Sequence, residues 1–321
     1  MTEIKNKNTV EAANTASGSA AASVKAAAAA KSAVRGTAKK KVSPAVKARK
    51  RQDLFRLIVQ IIFFILAPSV YNAAFSAVKN LFTAFGEGAV IEMTGFVVQF
   101  LIVIGFTFVW GRFFCGWCCA FGALGDWVYR ISQAVQKKIK KKLPALKEDQ
   151  VHLLQRVKYL VLAVILLLCF VGKSSIVNQN SPWTVFSLLR AGHFDLSGRS
   201  VGVVLLILIL LGMAWKERFF CQFLCPMGAV FTMVPEIPFF GLRRKKENCP
   251  AKCGACHKNC PVDLFIDTET AREGECIRCG RCSGICPKGN LSTMGGRFKG
   301  NELVLDGIKA VVLLALILIL S

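Results

Sequence analysis

Cys276, Cys279, Cys282 and Cys286, with Pro287 behind them, stand in the order C-x2-C-x2-C-x3-C-P. Four thiolates at that spacing, closed by a proline, form the ligand run of a [4Fe–4S] cluster in bacterial ferredoxins. A second run lies just upstream: Cys249, Cys253, Cys256, Cys260 and Pro261, one residue longer in its first gap. Two such runs in tandem read as a two-cluster ferredoxin, in which the fourth cysteine of each run crosses to the other cluster. One cluster is therefore expected on Cys249, Cys253, Cys256 and Cys286, and the other on Cys276, Cys279, Cys282 and Cys260.

Other metal chemistry explains less of this stretch. Cys253-Gly-Ala-Cys256-His257 also spells a haem-attachment string, but that reading leaves Cys249 and Cys260 idle. Zinc accounts for paired C-x2-C strings and not for two C-x3-C-P endings. His257 then becomes an exposed polar neighbour of a ligand. Lys252, Arg278, Arg281 and Lys288 sit among the ligands, where positive charge is expected to raise the reduction potential or help dock an acidic donor.

A further set of cysteines recurs in register. "RFFCGWCCAFGA" (112–123) and "RFFCQFLCPMGA" (218–229) align without a gap and preserve R-F-F-C-x-x-x-C-x-x-G-A. Residues i and i+4 share a helix face, so each pair is expected to present two thiolates together, with Pro226 placing the second pair at a helix end. Cys115, Cys119, Cys221 and Cys225 then offer four sulfurs, a candidate third metal or Fe–S centre. A redox-active disulfide or buried packing thiols are the alternatives. Cys118 is an extra, and Cys169 reads as a packing residue.

The elements that must carry these motifs are apolar. With 54% hydrophobic residues and a net charge of +23, the chain has a membrane-protein balance. Apolar stretches fall at about 54–78, 94–114, 155–171, 199–215 and 304–321, near the length needed to span hydrocarbon. Of 42 Lys and Arg residues, 36 fall in 1–53, 112–158 and 216–299, which the positive-inside rule assigns to the cytoplasm. Charge that sorts by topology leaves nucleic acid unnecessary as a partner.

The expected organisation is a disordered basic cytoplasmic tail (1–53), which meets no apolar signal-type core, followed by two two-span repeats. The first repeat (54–130) carries the C-x3-C motif and leads through a basic connector (131–154) to the second (155–234), with its C-x3-C-P motif. A ferredoxin-like domain (235–300) and a C-terminal span (301–321) complete the chain. The fold class is an α-helical integral membrane protein of two parallel repeats plus one span, bearing a small α+β domain with two [4Fe–4S] clusters. Parallel repeats are expected to relate by an axis along the membrane normal. The protein is placed in the cytoplasmic membrane as a multi-pass chain, with N-terminus and clusters inside and C-terminus outside.

Doubled C-x3-C-(P) motifs behind membrane spans, followed by paired [4Fe–4S] motifs, resemble the membrane polyferredoxins of the NapH and NosR type over roughly residues 54–290. The resemblance implies a respiratory electron-transfer subunit of quinol-dehydrogenase type rather than a stand-alone enzyme. Its partners would be a cytoplasmic donor and a flavoprotein or reductase, and its cofactors would include a quinone beside the clusters. This chain departs from the family pattern in Ala120, where the motif has proline, in the extra residue of the first cluster run, and in the span after the clusters. No flavin domain is encoded in it. Trp117 and Trp127 are candidates to flank a quinone head group, and His193 with Asp195 to take a quinol proton. A different class of function is a redox-linked assembly or sensing factor for metal-centre maturation. Six Met and three His argue against copper handling, and the apolar spans hold no obvious carboxylates or lysines to mark an ion path.

Overall fold

The computed structural model describes residues 44–89, 94–140, 143–237, 242–264, 270–292 and 301–320, apart from positions 145, 147, 246, 248, 251, 252, 272 and 273. Most of the expected basic tail (1–43) and Lys252 lie outside the described residues.

Helix α1 (Pro44–Leu66) begins inside the basic segment, so residues 44–53 are helical rather than part of a disordered tail. Arg56, Val59, Gln60 and Phe63 recur at helical spacing and are buried, while Leu54, Ile58, Ile61, Ile62 and Ile65 face outward. Polar groups inward and aliphatic groups outward is the pattern of a helix solvated by lipid. Pro68 cannot donate a backbone hydrogen bond, and the chain bends by 62° there into α2 (Val70–Glu87). The stretch 54–78 is thus a broken helix pair and not one straight span.

Helix α3 (Gly95–Trp110) leads into a five-residue helix α4 (Phe113–Trp117) and a long, basic-ended α5 (Ala120–Ile139). Helices α6 (Glu148–Gln155) and α7 (Val157–Phe170) run almost continuously, followed by α8 (Ser174–Gln179) and α9 (Pro182–Arg190). Then α10 (Ser200–Trp215), α11 (Phe219–Phe223) and α12 (Pro226–Met233) repeat the order of α3–α5, a 16-residue helix, a five-residue helix and a further helix, which is shorter here.

The ferredoxin-like part is small. It holds β1 (Leu242–Arg244), α13 (Ala255–Lys258), β2 (Thr270–Ala271), α14 (Arg281–Ile285) and β3 (Leu291–Ser292). The strands form one antiparallel sheet in the order β2-β1-β3, with Arg243 opposite Thr270 on one side and Ser292 on the other. Helix α15 (Glu302–Leu320) closes the chain.

All five apolar stretches are helical, but among the described residues two helices are long and apolar enough to cross a membrane alone, Asp149–Phe170 and Glu302–Leu320. The bent α1–α2 pair makes a third if it counts as one span. Helices α3 and α10 have 16 residues each. At the usual rise that is about 24 Å, short of a hydrocarbon core of about 30 Å.

Candidate metal centres

The two motif copies fold alike. In each, the first cysteine sits in a five-residue helix, Cys115 in α4 and Cys221 in α11. The helix then stops, and the second cysteine takes the N-cap of the next one: Cys119 before α5, Cys225 before α12. The expected single face at i and i+4 is replaced by a break between the cysteines in both copies. Pro226 occupies N1, where a missing N–H costs nothing, and Ala120 takes the same place without it. The departure from the family's proline therefore leaves the local geometry intact.

This geometry gathers the four sulfurs. Cys115, Cys119, Cys221 and Cys225 are all buried, and Cys119 and Cys225 each lie within electrostatic range of the other three. Cys118 is buried beside Cys115 and Cys119. Cys225 Sγ accepts from the Gly228 N–H at 3.1 Å, and the Tyr71 hydroxyl lies 3.6 Å from the same sulfur. Among the described residues no three His, Cys, Asp or Glu side chains converge closely enough for one metal ion. Thiolates with N–H donors and nearby cations are the donor set of a multi-iron cluster.

Charge is supplied by the motif arginines, each crossing to the other copy. Arg218 lies within range of Cys221 and Cys119, and Arg112 of Cys115 and Cys225. A Cβ at Gly122 would stand 2.4 Å from the Arg218 guanidinium; at the equivalent Gly228 it would stand 3.2 Å from that of Arg112. The conserved glycine of each copy is thus the gap through which the other copy's arginine passes. Arg218 makes a two-point contact with Asp126, at 2.7 and 2.6 Å, and also donates to the Cys115 carbonyl at 2.6 Å. Arg56 joins the same carboxylate and donates to the Gly116 carbonyl at 2.7 Å, while Gln60 donates to Asp126 at 2.7 Å. Asp126, fully enclosed between Arg56 and Arg218, is the keystone of this frame. It was legible only as a lone carboxylate in the apolar run "FGALGDWVY".

In the ferredoxin-like part, Cys260 is brought together with Cys276, Cys279 and Cys282. Cys249 and Cys286 meet at Asn290, whose backbone N–H donates to Cys286 Sγ at 3.3 Å and whose amide reaches Cys249 Sγ at 3.8 Å. Cys253 precedes α13 and Cys256 lies within it, both half-buried. The Leu264 N–H donates to Cys260 Sγ at 3.3 Å. Burial pushes the Cys260 and Cys282 thiols well up from their ordinary values, and their cysteine neighbours add to this. Cys249 moves the other way, because Arg244 donates to its sulfur at 3.5 Å. Iron removes the proton of a coordinating thiol outright, so crowded, buried cysteines that resist ionising alone fit a cluster.

Several expected roles change. His257 is half-buried, its Nδ1 3.2 Å from the Leu264 carbonyl, and is not an exposed neighbour. Arg278 pairs with Glu236, and Arg281 with Asp53 and Glu217; both arginines are buried and present no docking face. Lys288 is exposed. Trp117 is fully enclosed between Phe55 and Phe113, which leaves no room for a quinone against it. His193 and Asp195 are exposed, and Asp195 accepts from the Ser197 N–H in a local turn at 3.1 Å. Helix α15 does carry ionisable groups, against the expectation of apolar stretches free of carboxylates and lysines: Asp306 and Lys309 are buried and paired at 3.1 Å.

The two sets of cysteines touch through backbone. A Cβ at Gly116 would lie 2.1 Å from the Ile277 carbonyl and 3.6 Å from the Cys279 nitrogen, so only glycine lets motif copy one pack onto that loop. Trp117 Nε1 donates to the Arg278 carbonyl at 3.0 Å. From copy two, Gln222 donates at 2.7 Å to the carbonyl of Pro261, next to Cys260.

The family model described as a 4Fe-4S binding domain matches this chain twice, over residues 93–142 and 200–248. Those matches fall on the two motif copies. An uncharacterized protein of Methanocaldococcus jannaschii is 30% identical over 247 residues, covering 77% of this chain and 89% of the relative. This chain belongs to the membrane polyferredoxin family of the NapH and NosR type. Other members it resembles include NirI of Paracoccus denitrificans, 29% identical over 63% of this chain and 29% of that much longer protein. A putative electron transport protein of Escherichia coli strain K12, YccM, is 25% identical over 69% of this chain and 60% of its own length. No solved structure matches significantly. As a member of this family the chain is an iron–sulfur electron-transfer protein associated with the membrane.

Proposed function

We propose that the cysteines form three groups in series and that the chain relays single electrons along them. The outer group is Cys249, Cys253, Cys256 and Cys286, and the middle group Cys260, Cys276, Cys279 and Cys282. The inner group, Cys115, Cys119, Cys221 and Cys225, lies in the layer formed by the two motif copies. Fe–S clusters held by these cysteines would supply one-electron chemistry at each position. The observation that carries this order is the contact of Gly116 with Ile277 and Cys279, which joins the inner and middle groups through backbone alone. The two motif copies then read as parallel repeats whose arginines compensate the charge of the inner group.

The inner end needs an acceptor or donor of its own. An apolar crevice of about 490 Å³ opens beside motif copy two, lined among others by Ile165, Trp183, Leu208, Phe220 and Leu224. Trp183 is 6% exposed, and its Nε1 has no hydrogen-bond partner among the described residues. A quinone fits both features, its tail against the aliphatic walls and a carbonyl on the indole N–H. The Trp183 ring packs on Tyr71, and Tyr71 reaches Cys225. In this reading the outer group faces the cytoplasm with the basic N-terminal region, the C-terminus lies outside, and a flavoprotein or reductase completes the chain.

Iron and sulfide content of anaerobically purified protein tests the series. Two clusters give about eight irons per chain and three about twelve. Iron near twelve that falls by about four in Cys115→Ser and Cys225→Ser is the expected outcome. Iron near eight that these variants leave unchanged would refute the inner group as a centre.

A further inference from the structure

The two motif copies differ at one charged position. Asp126 follows Arg112 by the same interval at which Thr232 follows Arg218, so Asp126 and Thr232 are equivalent in the gap-free alignment. Arg218 crosses to copy one and meets Asp126, a full counter-charge. Arg112 makes the mirror-image crossing to copy two, within range of Cys225, and where Asp126 stands in copy one it meets the Thr232 hydroxyl, at 3.1 Å. A hydroxyl accepts a hydrogen bond but cannot neutralise a guanidinium. Beside it Lys158 is likewise buried, with 0% of its side chain exposed. Copy two therefore leaves two buried cations with no carboxylate of its own.

The missing carboxylate arrives from the ferredoxin-like part. Glu275, the residue before Cys276, places Oε2 3.1 Å from Arg112, and its Oε1 pairs with Lys158 Nζ. The Gly274 carbonyl accepts from the same arginine nitrogen at 3.1 Å. Tyr159 and Thr232 line the remaining side of the contact. Removing one partner of a buried ion pair is strongly unfavourable, because the charge left behind has neither water nor a counter-ion.

We infer that Glu275 is a positioning residue, the latch that holds the Cys276–Cys282 loop on motif copy one. Thr232 in place of a second aspartate is what makes the latch necessary. Were copy two to carry its own carboxylate, Arg112 and Lys158 would be compensated whether or not the ferredoxin-like part were seated. With threonine there, Arg112 and Lys158 have a carboxylate partner only when Glu275 is in place. The loop is then held where Ile277 meets Gly116. The consequence for electron transfer rests on the proposed series of cysteine groups; the docking itself does not.

Amide hydrogen exchange of segment 274–282 in the full-length, cluster-loaded protein tests this, with iron and sulfide content measured alongside. Glu275→Gln keeps the shape of the side chain and removes the charge. Exchange of the segment is expected to rise at least about tenfold. The pair Thr232→Asp with Glu275→Gln moves the carboxylate into copy two, at the place Asp126 has in copy one. Arg112 is then compensated, and protein yield recovers. The latch requires the segment to stay as open as in Glu275→Gln, because the carboxylate no longer belongs to the domain it must hold.

Wild-type protection in Glu275→Gln overturns the latch. So does wild-type protection in the double variant, which would mean that Glu275 merely neutralises Arg112. If Glu275→Gln does not accumulate, the double variant decides alone. Exchange does not depend on iron at Cys115 and its partners, so iron stopping near eight would refute the relay and leave this result standing.

Discussion

The indole N–H of Trp117 donates to the carbonyl of Arg278 at 3.0 Å, across 161 residues of chain. Trp117 lies between Cys115 and Cys118 in the membrane-layer motif, and Arg278 lies between Cys276 and Cys279 in the ferredoxin-like part. One hydrogen bond thus spans the boundary between two groups of cysteines. Arg278 holds a left-handed backbone, φ 52°, a conformation that a side chain of its size adopts only when its surroundings enforce it. The neighbouring Gly116 contact makes the approach close, and the Trp117 bond fixes its register.

Trp117→Phe should separate register from packing. Phenylalanine keeps the stacked contact with Phe113 and leaves the Arg278 carbonyl without its donor. A buried acceptor stripped of its partner costs about 1–3 kcal/mol. The expected result is normal iron content with a faster thermal loss of visible cluster absorbance. A variant whose bleaching curve overlays the parent would mean that the bond contributes nothing to docking.

Ligand spacing is local, so the cysteine runs and the motif repeat stand out in the bare sequence. Charge frames are not local. Asp126 and Arg218 lie 92 residues apart, and Glu275 and Arg112 lie 163 apart. No spacing rule connects such pairs, and the arginine in each R-F-F-C string looks like a flanking surface charge until the fold buries it. The bend at Pro68 was written in the sequence but hidden by an unbroken apolar run, because hydropathy counts residues and not direction. Helices α3 and α10 fell short of full spans for a related reason. The apolar run 94–114 continues past Trp110 into the motif, where Gly111 turns the chain at φ 69°. Arg278 and Arg281 show the opposite error: clustered charge suggested a docking face, and burial made it internal pairing.

Asp126→Asn should be the most disruptive single change outside the cysteines. Arg56 and Arg218 would remain buried without a carboxylate, at a cost of about 3–5 kcal/mol. Both arginines also hold the Cys115 and Gly116 carbonyls, so the short helix carrying Cys115 would lose its anchor with the charge. The expected outcome is little folded protein in the membrane fraction. Adding Arg56→Gln to Asp126→Asn removes one of the two orphaned cations and should recover part of the yield. If the double variant accumulates no better than Asp126→Asn, the uncompensated charge is not the cause.

Asn290→Leu addresses the outer group by itself. The backbone N–H to Cys286 survives the change, while the amide that reaches Cys249 is lost. Donors aimed at cluster sulfurs stabilise the reduced, more negative state, so their removal lowers the reduction potential. In a redox titration followed by EPR, one of the two ferredoxin-type signals is expected to move to lower potential while the other stays. A shift of both signals, or of neither, would contradict the assignment of Cys249 and Cys286 to one group.

Trp183→Phe tests the crevice without emptying it. The phenyl ring keeps the edge contacts with Phe75 and Tyr71, and only the unpartnered indole donor disappears. If a quinone carbonyl takes that N–H, losing one hydrogen bond of about 1 kcal/mol weakens its binding several-fold. Leu208→Trp, which fills the crevice from another lining position, should abolish binding while leaving Trp183 in place. Both variants should retain full iron content and an unchanged EPR spectrum, because neither residue is a candidate ligand. Titration of a short-chain quinone against the reduced protein reads the effect directly. Unaltered affinity in both variants would place the lipid-soluble carrier elsewhere on the membrane layer.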